Sequence, residues 1–416
     1  MARQQLPRRR RVPADDRRAR RAAVRALRHT CRGARVNGPR SRRAAPSPLA
    51  ALPVLRRIDG LRTSYADELA LIRGVGGWAA LAALAALYVL TPLVIDDFWL
   101  SVLNFTAIAA IAAIGLNLLT GFTGQVSLGH AFFIGLGAYT AGYLGGDLRL
   151  PVIVWLPAAG IIGAAVGLLV GPFALRLRGL YLAIVTLGLV FLGEHVFLNL
   201  RQITGGPQGR AVPAPMIGEI NLADLGTSLG LPLTREQSFF LFVVPLVALA
   251  AIAAKNIVRS RPGRAFQAIR DREIAAAIIG VDRARYKVGA FAVSSFYAAA
   301  AGALYGSYLR YITPGQFDLL PSIQYVAMII VGGIGTVYGS IAGAFFLVLI
   351  PRVVEALSPA IPFVSRSATS SGLTLFVLNQ LIFGALIVFF LVFEPSGLAG
   401  IWSRLRTYVK TWPFSY

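Results

Sequence analysis

The stretch that decides the fold runs from Pro151 to Phe173 and reads PVIVWLPAAGIIGAAVGLLVGPF. It contains no charged side chain, and as an α-helix rising about 1.5 Å per residue it is long enough to cross a hydrocarbon core of roughly 30 Å. Comparable apolar runs recur from Gly76 onward, near 76–95, 100–119, 126–145, 179–200, 238–254, 288–309 and 372–393. This repetition predicts an all-α, polytopic integral membrane helical bundle.

A further apolar stretch, residues 322–351, is too long for one untilted helix and too short for two full ones. Glycines interrupt it between Val331 and Gly339, so two shortened or broken helices fit best. Loops rich in Lys and Arg face the cytoplasm. The loop 255–287 carries nine basic and three acidic residues, whereas the loop 201–237 carries three of each. Two crossings through 322–351 satisfy this rule, place both termini in the cytoplasm and give about ten spans.

The composition excludes a soluble protein. Hydrophobic residues make up 56% of the chain, and 43 glycines raise that share to about two-thirds, against roughly 45–50% for soluble domains. The net charge of +23 arises mainly in residues 1–75, which hold 20 basic and 5 acidic side chains. Nucleic-acid binding by the chain as a whole is therefore excluded. The single cysteine, Cys31, excludes an intrachain disulfide and a cysteine metal cluster.

The chain divides into a basic tail of residues 1–75, a transmembrane domain of residues 76–401 and a cytoplasmic tail of residues 402–416. The tail at the start has no apolar run of the kind a secretory signal peptide needs. We expect it to be a disordered, positively charged segment, or residues that precede the true translation start. A basic helix within Arg17–Arg28 that lies on an anionic lipid surface is the alternative.

Two glycine-rich stretches, Leu119–Phe133 and Gly332–Phe346, lie in the two halves of the membrane domain. Interrupted helices in corresponding positions of two halves point to a transport path. Glycines also permit tight helix packing, and both interpretations stay open at this point. The candidate path residues are Gly124, Gln125, Ser127, His130, Gly332, Gly333 and Gly335.

Ionisable side chains inside the predicted spans are few: His130, Glu194 and His195. A proton-coupled carrier needs a coupling acid within the membrane. Glu194 lies in the last third of its span, which favours a structural or interfacial role. The energy for transport must then come from elsewhere, or the protein is a passive pore. The same scarcity leaves no convincing catalytic cluster and no metal site.

The cytoplasmic loop 255–287 contains a predicted helix, turn and second helix between Gly263 and Gly280. Pro262 is well placed to begin the first helix, and Gly280 can end the second with a left-handed cap. Charged and small apolar residues together suit a compact helix that inserts into a groove on a partner protein. A loop that only obeys the positive-inside rule is the alternative. The candidate docking residues are Arg264, Arg270, Asp271, Glu273, Ala276 and Gly280.

The segment Glu273-Ile-Ala-Ala-Ala-Ile-Ile-Gly280 resembles the coupling loop with which membrane subunits of ABC importers engage their ATPase subunits. From about residue 100 to 401, the chain resembles the LivM-type permease family of branched-chain amino acid ABC transporters. The matching stretches, in order, are Gly121–His130, Gly179–Gly188, Thr204–Gly209, Gly263–Gly280, Arg285–Lys287, Ala301–Tyr305, Val331–Thr336 and Phe393–Gly400.

The resemblance implies a permease subunit, not an enzyme, of an ATP-driven importer for branched-chain (hydrophobic) amino acids in a bacterial inner membrane. It also implies the partners: a second permease subunit, two ATP-binding subunits, an extracytoplasmic solute-binding protein and the lipid bilayer, with no nucleic acid. None of the lysines stands in a phosphate-binding loop, so partner subunits use the ATP and Mg, and this chain holds no cofactor. A permease for urea or short-chain amides, and an ion-coupled carrier or passive channel working alone, are the alternatives.

Overall fold

The computed structural model describes residues 74–175, 179–230, 232–357, 364–365 and 373–411. The predicted basic tail lies almost wholly outside these residues, as does Cys31. The helices are α1 (Gly74–Val94), α2 (Asp97–Thr123), α3 (His130–Ala141), α4 (Val152–Leu175), α5 (Leu180–Asn199), α6 (Arg201–Thr204), α7 (Leu225–Leu229), α8 (Arg235–Arg259), α9 (Arg261–Asp271), α10 (Glu273–Ile278), α11 (Arg283–Leu309), α12 (Leu319–Gly332), α13 (Val337–Leu357), α14 (Leu375–Phe393) and α15 (Gly397–Thr411). A π-helical segment (Gly142–Asp147) follows α3, and 3-10 turns cover Gly206–Gln208 and Pro314–Phe317.

Strands are short and pair in twos within the described residues. The pairs are β1 (Arg210–Ala211) with β4 (Tyr311–Ile312), antiparallel; β2 (Met216–Ile217) with β3 (Ile220–Asn221), antiparallel; and β5 (Val364–Ser365) with β6 (Leu373–Thr374), parallel. In the first pair Arg210 lies opposite Ile312, which joins the long loop after α5 to the end of α11.

The described helices form an all-α membrane bundle, as the apolar runs predict. Six of them, α2, α4, α5, α8, α11 and α13, are long and apolar enough to cross a bilayer, and α14 with α15 makes a seventh if that pair, bent by 45°, is one span. Large apolar side chains cover the outer faces, as lipid contact requires. Every predicted apolar run corresponds to a helix, while the total of about ten crossings stays a prediction.

Helix α11 lies at the centre of the bundle and packs against α2, α3 and α4. Glycine makes these approaches close. A Cβ atom on Gly137 of α3 would collide with the backbone of Ala299, and one on Gly302 of α11 would collide with the backbone of Ile134. Because lipid tails are as apolar as the helices, such small-residue contacts take the place of a hydrophobic driving force.

Both glycine-rich stretches break a helix. Helix α2 ends at Thr123 and is capped by Gly124, whose φ is 70° and whose N–H donates to the carbonyl of Thr120 at 3.2 Å. Residues 125–129 are not helical, and α3 begins at His130. The predicted span 126–145 therefore started four residues too early, because side-chain oxygens bind the backbone there instead: the Leu128 N–H donates to Thr186 Oγ1 at 2.9 Å. The stretch 322–351 divides into α12 and α13, as expected.

The bundle has two ends. One end carries the segment 260–281, which contains α9 and α10 and is called the elbow below. The carboxyl end of α2 lies there, since Arg270 donates to the carbonyl of Gly121 at 2.9 Å. The start of α2 lies at the opposite end, where the Thr234 hydroxyl donates to Asp97 at 2.6 Å.

Candidate functional site

Three local features shape the elbow. Ser260 is extended (ψ 176°) and separates α8 from α9. Pro262 lies in the first turn of α9, where a missing N–H leaves no helical hydrogen bond unmade. Arg272 is extended again (φ −152°) and separates α9 from α10. The helix-turn-helix that the sequence predicts is therefore present as two helices joined by a single extended residue.

The elbow closes on a glycine cap. Gly280 has a φ of 89°. The N–H of Val281 donates to the carbonyl of Ala276 at 3.0 Å, and the N–H of Gly280 donates to that of Ala277 at 3.1 Å. This pair of bonds is the Schellman motif, which satisfies the last carbonyls of a helix and favours glycine in the left-handed region. The predicted left-handed cap is confirmed.

One face of the elbow is anchored and the other is open. Phe266, Ile269 and Ala276 are buried. In contrast, Ile274, Ile278 and Ile279 expose 69%, 80% and 75% of their surface. The same segment also exposes the charged residues Arg264, Asp271 and Arg272. Exposed apolar side chains in a segment that also exposes charges are typical of a protein-binding surface.

Two residues of the elbow, Glu273 and Arg270, make polar contacts with the bundle. Lys287, buried near the start of α11, donates from Nζ to Glu273 Oε1 at 2.9 Å. Arg283 lies 3.6 Å from the same carboxylate oxygen. Arg270 donates to Gly121 and also binds Asp271 at 3.1 Å. Glu273 and Arg270 therefore connect α10 and α9 to α11 and α2.

The hydrogen bonds of Asn117 continue this connection into the bundle. Asn117, buried on α2, donates from Nδ2 to the carbonyl of Thr336 at 2.8 Å and to Ser340 Oγ at 2.7 Å. Its Oδ1 accepts from the N–H of Gly335 at 2.8 Å. Asn117 therefore fastens α2 to the break between α12 and α13. We call Arg270, Gly121, Asn117 and Gly335 the junction.

The comparisons with known proteins agree on one family. The profile of the family described as "Branched-chain amino acid transport system / permease component" matches residues 98–391. The chain belongs to this family. The LivM permease protein of the high-affinity branched-chain amino acid transport system of Escherichia coli K12 is 30% identical over 331 residues, 76% of this chain and 74% of the relative.

More distant relatives carry other names. The LivH permease protein of Salmonella typhimurium is 26% identical over 301 residues, 70% of this chain and 91% of the relative. The ribose import permease protein RbsC of Haemophilus influenzae is 25% identical over 279 residues, 64% of this chain and 81% of the relative. No solved structure matches significantly. Family membership identifies this permease as a multi-pass membrane transport subunit.

The permease brings some predicted path residues together and separates others. Both glycine-rich stretches meet at the junction: a Cβ on Gly124 would lie 3.3 Å from Arg270 Cγ, and one on Gly335 would lie 2.9 Å from its Nη1. Gly332 and Gly333 are buried in the same break, and a Cβ on Gly332 would collide with the Gly339 carbonyl. These glycines serve close packing, and their place in a path stays a prediction.

The polar residues of the first stretch lie deeper in the permease. Gln125 is buried and donates to the carbonyl of Lys287 at 3.3 Å. Ser127 is buried and accepts from the N–H of Gly129 at 3.3 Å. His130 is buried, with Nε2 2.9 Å from the carbonyl oxygen of Ala112. Each of these three side chains is thus hydrogen-bonded to a backbone group of the permease. Contact of Gln125, Ser127 or His130 with a substrate stays a prediction.

Sequence reasoning did not identify Asn117, Lys287 or the exposed isoleucines as functional. Asn117 is an amide inside an apolar run, and such a side chain indicates a hydrogen bond between membrane helices. The adjacent pair Ile278 and Ile279, in a loop rich in arginine, was the signal for these exposed apolar side chains.

Proposed function

We propose that the chain is the membrane-spanning permease subunit of an ATP-driven importer for branched-chain, hydrophobic amino acids. The elbow surface carries this proposal. Three isoleucines that are largely exposed in a water-facing loop are costly for an isolated subunit, and covering them with a partner removes that cost. Family membership makes the ATPase subunit the partner that best fits this surface.

The proposed coupling runs from the elbow to the broken helices. Closure of an ATPase dimer moves the elbow as a rigid body. The Lys287–Glu273 pair passes that movement to α11, and Arg270 passes it to α2. Asn117 then passes the movement of α2 to the break between α12 and α13. In transporters, discontinuous helices of this kind form the substrate site around which access alternates.

The elbow end faces the cytoplasm in this proposal, with both chain termini on the same side of a bacterial inner membrane. Nine basic residues in loop 255–287 support this orientation. The motor belongs to partner subunits, since Lys255, Lys287 and Lys410 have no phosphate-binding-loop context. The other partners are a second permease subunit and an extracytoplasmic binding protein that delivers the substrate.

Docking is tested by co-purification of the cognate ATPase from detergent-solubilised membranes. Ile278→Glu buries a charge in the interface, so we expect the ATPase to be lost from the complex. Ile220→Glu is the matched control, because Ile220 is an exposed isoleucine in the loop region that contains Asp224 and Thr234, away from the elbow. Equal ATPase recovery with both variants would contradict docking at the elbow. Asp271→Lys is a second surface variant, whereas reversing Glu273 would also break the pair with Lys287.

Transport is tested with the complete complex in liposomes. We expect ATP-dependent uptake of leucine, isoleucine and valine when the binding protein is present, and loss of uptake when this chain is omitted. Urea is the comparison substrate, since uptake of urea alone would favour a permease for small amides. Uptake by this chain without ATP or ATPase subunits would instead support an ion-coupled carrier or a passive channel.

A further inference from the structure

A cavity of about 290 Å³ lies inside the bundle, in the half away from the elbow. Parts of α2, α3, α11, α12, α13 and α14 and the turn Pro314–Phe317 line this cavity, which is open on one side. Most of its wall is apolar, including Phe105, Ile108, Met328, Leu347 and Phe383. An apolar cavity of about 150 Å³ holds benzene. Twice that volume gives room for a branched-chain amino acid.

One charge faces this apolar space. Arg352, on α13, is the only charged residue among the described residues that line the cavity. It lies in the last turn of a candidate membrane span and its side chain is 35% exposed, which places the charge toward the end of the bundle away from the elbow. Its Nη1 lies 3.4 Å from Glu355 in the next turn, and its guanidinium lies 6.0 Å from the ring centre of Phe98. The remaining N–H groups can hold a carboxylate in a bidentate pair.

Hydrogen-bond acceptors lie in the same wall. The side chains of Tyr305, Gln324 and Tyr325 line the cavity and bring two hydroxyl oxygens and one amide oxygen to its wall. Their oxygens can accept hydrogen bonds from an ammonium group. No carboxylate stands among the described lining residues, so the lining suits a zwitterion with an apolar side chain better than a cation.

Two half-helices begin at the cavity. Ala131, the second residue of α3, and Pro321, near the start of α12, both line it. The N–H of Ala131 donates to Ser322 at 2.9 Å, which joins the two starts. The ring of His130 packs edge-on against Tyr325, with centroids 5.4 Å apart. Transporters direct the positive ends of discontinuous helices toward anionic substrate groups.

We propose that this cavity is a transit site for an amino acid with an apolar side chain, and that Arg352 binds its carboxylate. Gln324 and the two tyrosine hydroxyls receive the ammonium group, and the apolar wall contacts the side chain. The proposal rests on the proposed function, because it names where the imported amino acid stays within this subunit. It also gives His130 a role, since that ring positions Tyr325 rather than contacting the substrate.

The test uses cysteine protection in the complete transporter. Cys31→Ser gives a background without cysteine in this chain, and Met328→Cys places a thiol in the cavity. A small water-soluble methanethiosulfonate labels the thiol while leucine is titrated. Only unoccupied sites react, so leucine lowers the labelling rate by a factor of one plus the ratio of its concentration to its dissociation constant. At a leucine concentration of nine times that constant, labelling is about tenfold slower. Leucinamide, which lacks the carboxylate, gives no protection.

Matched variants make the result specific. Met216→Cys replaces an exposed methionine outside the cavity, and leucine must leave its labelling unchanged. Adding Arg352→Gln to Met328→Cys abolishes protection by leucine. Its labelling rate without leucine stays within about twofold of the rate of Met328→Cys alone, which shows an intact fold. Arg352→Lys retains part of the protection. No labelling of Met328→Cys, no protection by leucine, or equal protection by leucinamide would each refute the site. ATP-dependent uptake by the same liposomes separates the transit-site proposal from the proposed importer function. Uptake without protection would reject only the transit site, and protection without uptake would reject only the importer function.

Discussion

Asn117 is the residue on which the proposed coupling depends most directly, and Asn117→Ala tests it. The substitution removes three hydrogen bonds to the break between α12 and α13. Interhelical hydrogen bonds in membrane proteins average about 0.6 kcal/mol each, so their loss costs about 2 kcal/mol. The N–H of Gly335 also loses its acceptor, a penalty of about 1–3 kcal/mol for a fully buried group. We take about 2–3 kcal/mol as the total, since Gly335 is half-buried.

A loss of about 2 kcal/mol changes a two-state ratio about 30-fold. If that free energy keeps α2 attached to the break between α12 and α13, its loss populates arrangements in which α2 and the break move independently. We therefore expect the complete transporter with Asn117→Ala to hydrolyse ATP at close to the normal rate while importing several-fold less leucine per ATP. The assay measures phosphate release and labelled leucine uptake in the same liposomes, together with the thermal midpoint of the purified complex.

Asn104 provides the matched control. It is also a fully buried asparagine on α2, and its Nδ2 donates to the carbonyl and carboxylate of Glu236 at 3.1 and 3.0 Å. It lies toward the end of α2 that is away from the junction. Asn104→Ala should therefore lower the thermal midpoint but keep the leucine-to-ATP ratio. The reasoning would be refuted by equal changes in that ratio for both variants, or by a normal ratio in Asn117→Ala with a lowered midpoint.

Three further predictions concern the elbow and the helix packing. Lys287→Met leaves the half-buried carboxylate of Glu273 with a weaker partner, at a cost of about 1–2 kcal/mol. Hydrogen exchange of the backbone amides in α10 should therefore accelerate. Unchanged exchange would show that the Lys287–Glu273 pair does not anchor the elbow. Gly302→Ala should lower the thermal midpoint, because the added methyl group meets the backbone of α3. Gly289→Ala on the same helix meets nothing within 4 Å and should raise stability by up to about 1 kcal/mol. Equal thermal midpoints for the two variants would contradict the packing argument. Gly280→Ala places a side chain at a φ of 89° and should cost about 1–2 kcal/mol, with Gly280→Asn close to normal in the same melting assay.

The sequence predicted the helices well because lipid imposes one strong rule. A chain in hydrocarbon must satisfy its backbone within helices, so apolar runs such as 151–173 correspond closely to observed elements. The boundaries failed where side chains replaced the backbone as hydrogen-bond partners. Residues 126–129 look helical by composition, but Thr186 and Ser127 bind their N–H groups instead. No periodicity in the chain encodes a partner that is 58 residues away.

The candidate site shows the same division between local and tertiary information. The cap at Gly280 follows from a residue type and its neighbours, so the sequence predicts it. Arg270 and Glu273 were predicted as part of a docking surface from their charges. In the structure Arg270 binds Gly121, which is 149 positions away, and Glu273 binds Lys287, which is 14 positions away. Whether a charged residue faces a partner or its own bundle is decided by packing, which a charge count does not contain.

This division explains why the exposed isoleucines carry more weight for function than the arginines. A charged side chain in a cytoplasmic loop is satisfied by water, by orientation rules or by its own bundle, so its presence discriminates poorly. An isoleucine that remains in water costs free energy unless something covers it. The elbow keeps Ile274, Ile278 and Ile279 outward although Phe266 and Ile269 of the same segment are buried. Glu273 and Arg270 are held against the bundle by Lys287 and the carbonyl of Gly121, whereas the three isoleucines stay exposed. In the proposed importer, docking strength and force transmission therefore depend on different side chains and can be separated by mutation.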